Sequence, residues 1–109
     1  MTFQETKEFI ANIIREEFRA RDLDVKQIVL FGSQSRGAAC SDSDWDFLVS
    51  TGNELEFGEK TKLTTAIQRR LALKHISVDV IVKSENKIQQ ERNNVGVITY
   101  YALKDGILV

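Results

Sequence analysis

The order in which helical and strand-like hydrophobic spacings follow one another is the feature that most constrains this fold. Apolar residues recur every three or four positions from Thr2 to about Arg21, and again from about Phe57 to Leu73, which predicts two amphipathic helices. Between them, Lys26 to Phe31 is rich in branched residues and apolar on both faces, and Gly32 stops it. This segment is typical of a buried central strand.

Two further segments alternate with a period of two and predict strands that bury one face. They are Trp45 to Val49 and Ile76 to Val82. Ser84 is expected to cap a helix that runs to about Arg92, whereas 95–103 fits either a helix or a strand, and Ile107 to Val109 fits a short edge strand. The resulting order predicts an α/β (α+β) fold in which helices flank a small sheet.

The size and composition limit the class of protein. With 109 residues, we expect residues 1–109 to form one domain. The longest apolar run, Ile28 to Phe31, excludes a membrane span, and the start of the chain has no secretory leader pattern. The single cysteine, Cys40, excludes an internal disulfide, so we expect a cytoplasmic protein.

Charge is segregated along the chain. Six acidic residues and no Lys or Arg lie within 42–59, whereas 60–92 carries eight basic residues against three acidic ones. The net charge of −1 argues against a nucleic acid as the direct substrate. An acidic patch beside a basic surface instead suits a metal site next to a surface that meets phosphates or an acidic partner.

Three carboxylates are candidates for metal binding and catalysis. Asp44 and Asp46 are two positions apart on a predicted strand and therefore project from one face, about 6–7 Å apart at Cα. Asp79 lies on the next predicted strand, on the face opposite its aliphatic residues. If the strands are neighbours, the three carboxylates converge and require a counter-charge, for which Mg²⁺ is suited.

Gly32 and Ser33 predict a phosphate-binding turn. A glycine at the end of a buried strand lets the backbone approach a ligand closely, and the following amides and the Ser33 hydroxyl can face an anion. A turn of this kind beside a metal-binding pair describes a site for a nucleoside triphosphate with Mg²⁺.

These motifs resemble a known signature. Phe31-Gly32-Ser33, ten residues, then Asp44-Trp45-Asp46 and later Val78-Asp79-Val80 are similar to the nucleotidyltransferase signature of the DNA polymerase β superfamily. The short chain and the segments 30–37 and 43–49 resemble its minimal branch, the MNT proteins, which implies the nucleotidyltransferase fold over nearly the whole chain.

The resemblance also implies roles for individual residues. Asp44 and Asp46 would coordinate two Mg²⁺ ions, while Asp79 would bind the catalytic ion and help to deprotonate the attacking hydroxyl. Gly32 and Ser33 would hold the terminal phosphates of ATP. Arg36 would contact phosphate or else form an ion pair with Asp42.

MNT proteins are commonly partnered with HEPN-domain toxins, so the resemblance implies an antitoxin that transfers AMP from ATP to a tyrosine of its partner. One alternative is a non-catalytic antitoxin that inhibits its partner by binding, and another is nucleotidyl transfer to a small molecule. A homo-oligomer also remains open. Among the aromatic residues, we expect Trp45 and Phe47 to be core rather than to stack on a base. Tyr100 and Tyr101 are expected to pack in the core of the tail, with an interface or a nucleotide contact as the alternative.

Overall fold

The computed structural model describes residues 1–35 and 44–109, in which helices and strands follow the predicted order. The elements are α1 (Phe3–Ala20), β1 (Val25–Phe31), β2 (Trp45–Thr51), α2 (Phe57–Ala72), β3 (Val78–Ser84), α3 (Glu85–Glu91), α4 (Ile98–Asp105) and β4 (Ile107–Leu108). The predicted fold class is therefore confirmed. Arg36 and Cys40 lie outside the described residues.

The strands form a mixed sheet in the order β3-β2-β1-β4. β1 is antiparallel to both β2 and β4, whereas β2 and β3 run parallel. The prediction that the segment ending at Phe31 is a central strand is confirmed, because β1 lies between two others. The tail strand Ile107–Leu108 is paired with β1 and is an edge strand, as predicted for Ile107 to Val109.

The helices cover both faces of this sheet. On one face, α1 and α2 bury Phe18, Leu63 and Ile67 against Phe47 and Val80 of the strands. On the other, Ile88 of α3 and Ala102 of α4 pack on Val29, Phe31 and Leu48. Since Trp45 and Phe47 are 8% and 0% exposed, their predicted place in the core is confirmed.

Two helix starts are set by local side chains. Thr2 and Glu5 form a complete capping box ahead of α1, in which each side chain accepts a hydrogen bond from the other residue's backbone N–H. The Ser84 hydroxyl accepts from the Lys87 N–H at 3.1 Å and caps α3, as predicted.

Some boundaries differ from the sequence prediction. β3 begins at Val78 rather than Ile76 because the chain leaves α2 through a turn, in which His75 has a positive φ of 59° and the Ile76 N–H donates to the Leu71 carbonyl. The ambiguous segment 95–103 is helical from Ile98, where α4 begins, and this helix continues to Asp105. The prediction that Tyr101 packs in the core is wrong, since 53% of it is exposed, whereas Tyr100 is half-buried.

Among the helices in the described part of the chain, none combines the length and the apolar character that a membrane crossing requires.

Candidate active site

One edge of the sheet brings together the ends of three strands. β1 ends there at Phe31, while β2 and β3 begin there at Trp45 and Val78, because β1 runs antiparallel to the other two. Asp46 is the register partner of Phe31 on one side and of Asp79 on the other. Two of the predicted site carboxylates therefore lie directly side by side on neighbouring parallel strands.

The side chains of these two aspartates share one face of the sheet. Side chains alternate along a strand, and Asp46 and Asp79 lie opposite the buried series that contains Phe47 and Val80. Asp79 is exposed, whereas Asp46 is partly buried. The face that carries them is therefore open to solvent at Asp79.

Asp44 has a different position from the one predicted. It precedes β2, which begins at Trp45, and it is exposed rather than part of the strand. The negative charge of Asp44 nevertheless affects the pKa of Asp46. Burial, then the charge of Asp79, then that of Asp44 raise the pKa of Asp46 above its ordinary value. The region around Asp46 consequently carries excess negative charge and would be stabilised by a cation.

Gly32 fits against Asp46 in a way that only glycine allows. Its φ is +77°, and a Cβ at this position would lie 2.4 Å from Oδ2 of Asp46. A side chain would therefore adopt an unfavourable backbone conformation and also displace the carboxylate. The role of this glycine is to let the backbone turn in contact with Asp46.

The turn that follows Gly32 is closed by Ser35. The Ser35 N–H and its hydroxyl both donate to the Gly32 carbonyl, at 3.2 and 2.8 Å. Ser33 lies inside this turn and is half-buried. The structure thus places Gly32 and Ser33 at the same edge as the aspartates, while the predicted contribution of Arg36 lies outside the described residues.

The described residues provide the type of ligand that Mg²⁺ prefers, but not a closed metal centre. Within residues 1–35 and 44–109, no three His, Cys, Asp or Glu side chains are gathered closely enough to hold a metal ion. The donors at the edge are carboxylates, which are hard oxygen ligands, and the pKa of Asp46 is raised partly by its neighbours' like charge. These residues fit a divalent cation whose remaining ligands are supplied by a nucleotide or water.

One neighbour of the site was not identified from the sequence. Phe3 stacks on Trp45, with ring centroids 5.2 Å apart, although 42 positions separate them. Helical spacing placed Phe3 at the start of α1 but gave no signal of its partner, because the contact depends on how α1 crosses the sheet.

The chain is similar to known proteins along most of its length. The family described as polymerase beta nucleotidyltransferase matches residues 8–109. A relative from Methanocaldococcus jannaschii, provisionally named as protein adenylyltransferase MJ0604, is 33% identical over 88 residues, covering 80% of this chain and 78% of the relative.

Solved structures share the fold at lower identity. A toxin–antitoxin complex with AMP-PNP matches with a TM-score of 0.63 and 23% identity, over 89% of this chain and 69% of that one. A complex of a tri-AMPylated Shewanella oneidensis HEPN toxin with its MNT antitoxin matches with a TM-score of 0.63 and 19% identity, over 98% and 71%. A structure provisionally described as a minimal nucleotidyltransferase matches with a TM-score of 0.64 and 21% identity, over 100% and 97%.

The family match and the shared fold agree with the resemblance seen in the sequence motifs. The site geometry agrees as well, because Gly32 lies against Asp46 and Asp46 is paired with Asp79. The chain belongs to the polymerase beta nucleotidyltransferase family.

Proposed function

We propose that this nucleotidyltransferase transfers AMP from ATP to a tyrosine hydroxyl of a HEPN-domain toxin, with Mg²⁺, and thereby acts as an antitoxin. The observation that carries the proposal is the Asp46–Asp79 register pair with Gly32 in contact with Asp46. Two structural neighbours, a toxin–antitoxin complex with AMP-PNP and a complex that contains a tri-AMPylated toxin, support the choice of donor and acceptor.

In this proposal, Asp44 and Asp46 hold the divalent ions. Asp79 binds the catalytic ion and also accepts the proton of the acceptor hydroxyl. When bound, Mg²⁺ supplies charge neutralisation on the triphosphate and on the leaving pyrophosphate. Asp79 is the exposed member of the register pair, so its carboxylate can accept the proton of an incoming hydroxyl. Gly32, Ser33 and Arg36 are assigned to the phosphates.

The reaction replaces the bond between the α- and β-phosphates of ATP with a bond between the α-phosphate and the acceptor oxygen. The acceptor oxygen forms a bond to the α-phosphorus of ATP, the bond from that phosphorus to the β-phosphate oxygen breaks, and pyrophosphate leaves. The proton of the hydroxyl passes to the carboxylate of Asp79. The products are an adenylylated acceptor and pyrophosphate, with no oxidant or reductant involved.

The exposure of the site supports a macromolecular acceptor. Asp44 and Asp79 are both exposed, so these two carboxylates are open to solvent. A protein that docks over the edge would exclude water and bring its tyrosine to the carboxylates. This openness favours a protein over a small molecule that needs an enclosed pocket.

The test uses ATP labelled at the α- or the γ-phosphate, Mg²⁺ and the protein encoded by the neighbouring gene. Label from the α-position should appear on the partner, and label from the γ-position should not. Asp46→Asn and Asp79→Asn should abolish labelling. Asp24→Asn is the matched control, because Asp24 lies just before β1 at the opposite end of the strand and its salt bridge with Lys26 is exposed.

Three outcomes would redirect the proposal. If Asp46→Asn still neutralises the partner in cells, inhibition by contact replaces catalysis. If a partner variant without tyrosines is labelled equally, another hydroxyl is the acceptor. If only an added small molecule such as an aminoglycoside is labelled, the protein partner is not the substrate.

A further inference from the structure

An aromatic stack connects the first turn of α1 to the start of β2. The Phe3 ring stacks on Trp45 with centroids 5.2 Å apart and planes 26° apart, and Trp45 stacks on Phe47 at 6.5 Å and 8°. Trp45 and Phe47 are buried, but Phe3 is 44% exposed. Phe3 therefore closes the outer end of a stack that begins in the core.

Trp45 is the first residue of β2, and it lies between Asp44, which precedes the strand, and Asp46, the second residue of the strand. Its side chain faces the helices, while that of Asp46 faces the opposite side of the sheet. Its N–H donates to the Ser77 carbonyl at 3.0 Å, two positions before Asp79. One residue thus connects the segment that carries Asp44 and Asp46 with the segment that carries Asp79.

The position of Phe3 is set by the helix start rather than by burial of its own ring. The Glu5 N–H donates to Thr2 Oγ1 at 3.1 Å, and the Thr2 N–H donates to Glu5 Oε1 at 2.9 Å. The Lys7 ammonium lies 5.9 Å from the centroid of the Phe3 ring. These contacts orient the first turn, and with it the ring that covers Trp45.

We propose that Phe3 is a positioning residue for nucleotidyl transfer, acting through Trp45 on Asp44 and Asp46; this rests on the proposed function. Asp44 precedes the strand and is exposed, and its backbone is joined directly to Trp45, whose ring is held in the stack with Phe3. Without the Phe3 ring, the start of β2 has more conformations, and gathering the carboxylates around a cation costs more entropy.

The experiment measures ATP affinity by calorimetry, with Mg²⁺ and separately with EDTA. Phe3→Ala should weaken the Mg²⁺-dependent affinity by about 2- to 10-fold, the range expected for one aromatic pair. It should leave the affinity in EDTA unchanged, and Phe3→Tyr should restore the wild-type value. The matched control is Phe57→Ala, because Phe57 is 84% exposed and also opens a helix.

Trp45 is the only tryptophan, so its fluorescence reports the stack directly without any ligand. Phe3→Ala should shift its emission to longer wavelength as the indole gains contact with water. Thr2→Ala, which removes the capping hydroxyl and keeps the ring, should act in the same direction with a smaller effect. It provides the comparison if Phe3→Ala does not fold.

The outcomes separate this inference from the proposed function. If the emission shifts while the Mg²⁺-dependent affinity stays at the wild-type value, Phe3 has a structural role only and the inference is overturned. If affinity falls equally with Mg²⁺ and with EDTA, the inference is also overturned. If the wild-type chain binds ATP with Mg²⁺ but labels no partner, the proposed acceptor is wrong and the comparison of Phe3→Ala with the wild type still stands. If the wild-type chain binds no ATP, both the proposed function and the role of Phe3 are wrong.

Discussion

Replacing Gly32 by alanine tests the central contact of the candidate site. The added Cβ would lie 2.4 Å from Oδ2 of Asp46 and 3.3 Å from its Cγ, at a backbone φ of +77°. Both distances are shorter than a van der Waals contact, so the Asp46 side chain has to move. The substitution therefore combines a cost in stability with a displacement of the carboxylate beside Asp79.

The two effects have different sizes. A residue with a side chain in the left-handed region costs roughly 1–2 kcal/mol, which lowers the melting temperature of a domain of this size by about 4–8 °C. The steric clash adds little to that cost, because the terminal carboxylate of Asp46 can rotate away. Its effect on activity is larger, because a misplacement of about 1 Å at a reacting group can reduce a rate about 100-fold.

The assay compares adenylyl transfer and calorimetric melting in the wild type, Gly32→Ala and Gly58→Ala. Gly58 is the matched control, because a Cβ at that position would meet nothing within 4 Å. We expect Gly32→Ala to transfer adenylyl groups about 100-fold more slowly at a temperature at which it is folded. Gly58→Ala should transfer them at the wild-type rate. A Gly32→Ala variant that works within about threefold of the wild type would refute the assignment of this contact to the active site.

Three other substitutions probe charge and packing, with Phe57→Ala as a control. Burial and two neighbouring carboxylates raise the pKa of Asp46, so Asp46→Asn should raise the melting temperature in metal-free buffer at pH 7. That gain should begin to shrink as the pH falls through the raised pKa and should vanish below the ordinary aspartate pKa. The hydrogen bond from Lys83 lowers the pKa of Glu91, so Glu91→Gln should cost about 1–3 kcal/mol in urea unfolding at pH 7, with the difference shrinking as the pH falls through that lowered value. Leu63→Ala should cost about 2–5 kcal/mol in the same assay because Leu63 is fully buried, whereas Phe57→Ala, at an exposed position, should cost under about 0.5 kcal/mol.

Short-range patterns account for the parts of the fold that were predicted correctly. Thr2 and Glu5 are three positions apart, and the hydrogen bonds between them mark the start of α1 without help from the rest of the chain. Ser84 marks the start of α3 in the same way. The alternation of apolar and polar residues along β3 likewise distinguished its buried residues from the exposed Asp79. Each of these signals spans only a few residues.

Features that depend on tertiary packing were not predictable from the spacing. Tyr101 was expected in the core of the tail, but the buried face of α4 carries Thr99 and Ala102, and Tyr101 points away from it. The left-handed turn at His75 delayed the start of β3 by two residues. Likewise, no local signal indicated that Phe3 contacts Trp45.

The position of the site depends on strand direction, which hydrophobic patterns do not report. In all-parallel sheets, ligands bind at the carboxyl ends of the strands. Here the aspartates lie at the amino-terminal ends of β2 and β3, and they meet Gly32 because β1 runs the opposite way and ends beside them. Had β1 run parallel to β2, Gly32 and Asp46 would lie at opposite edges of the sheet. The ten residues between Ser33 and Asp44 allow the antiparallel arrangement, which makes the glycine-serine turn and the paired aspartates parts of one site.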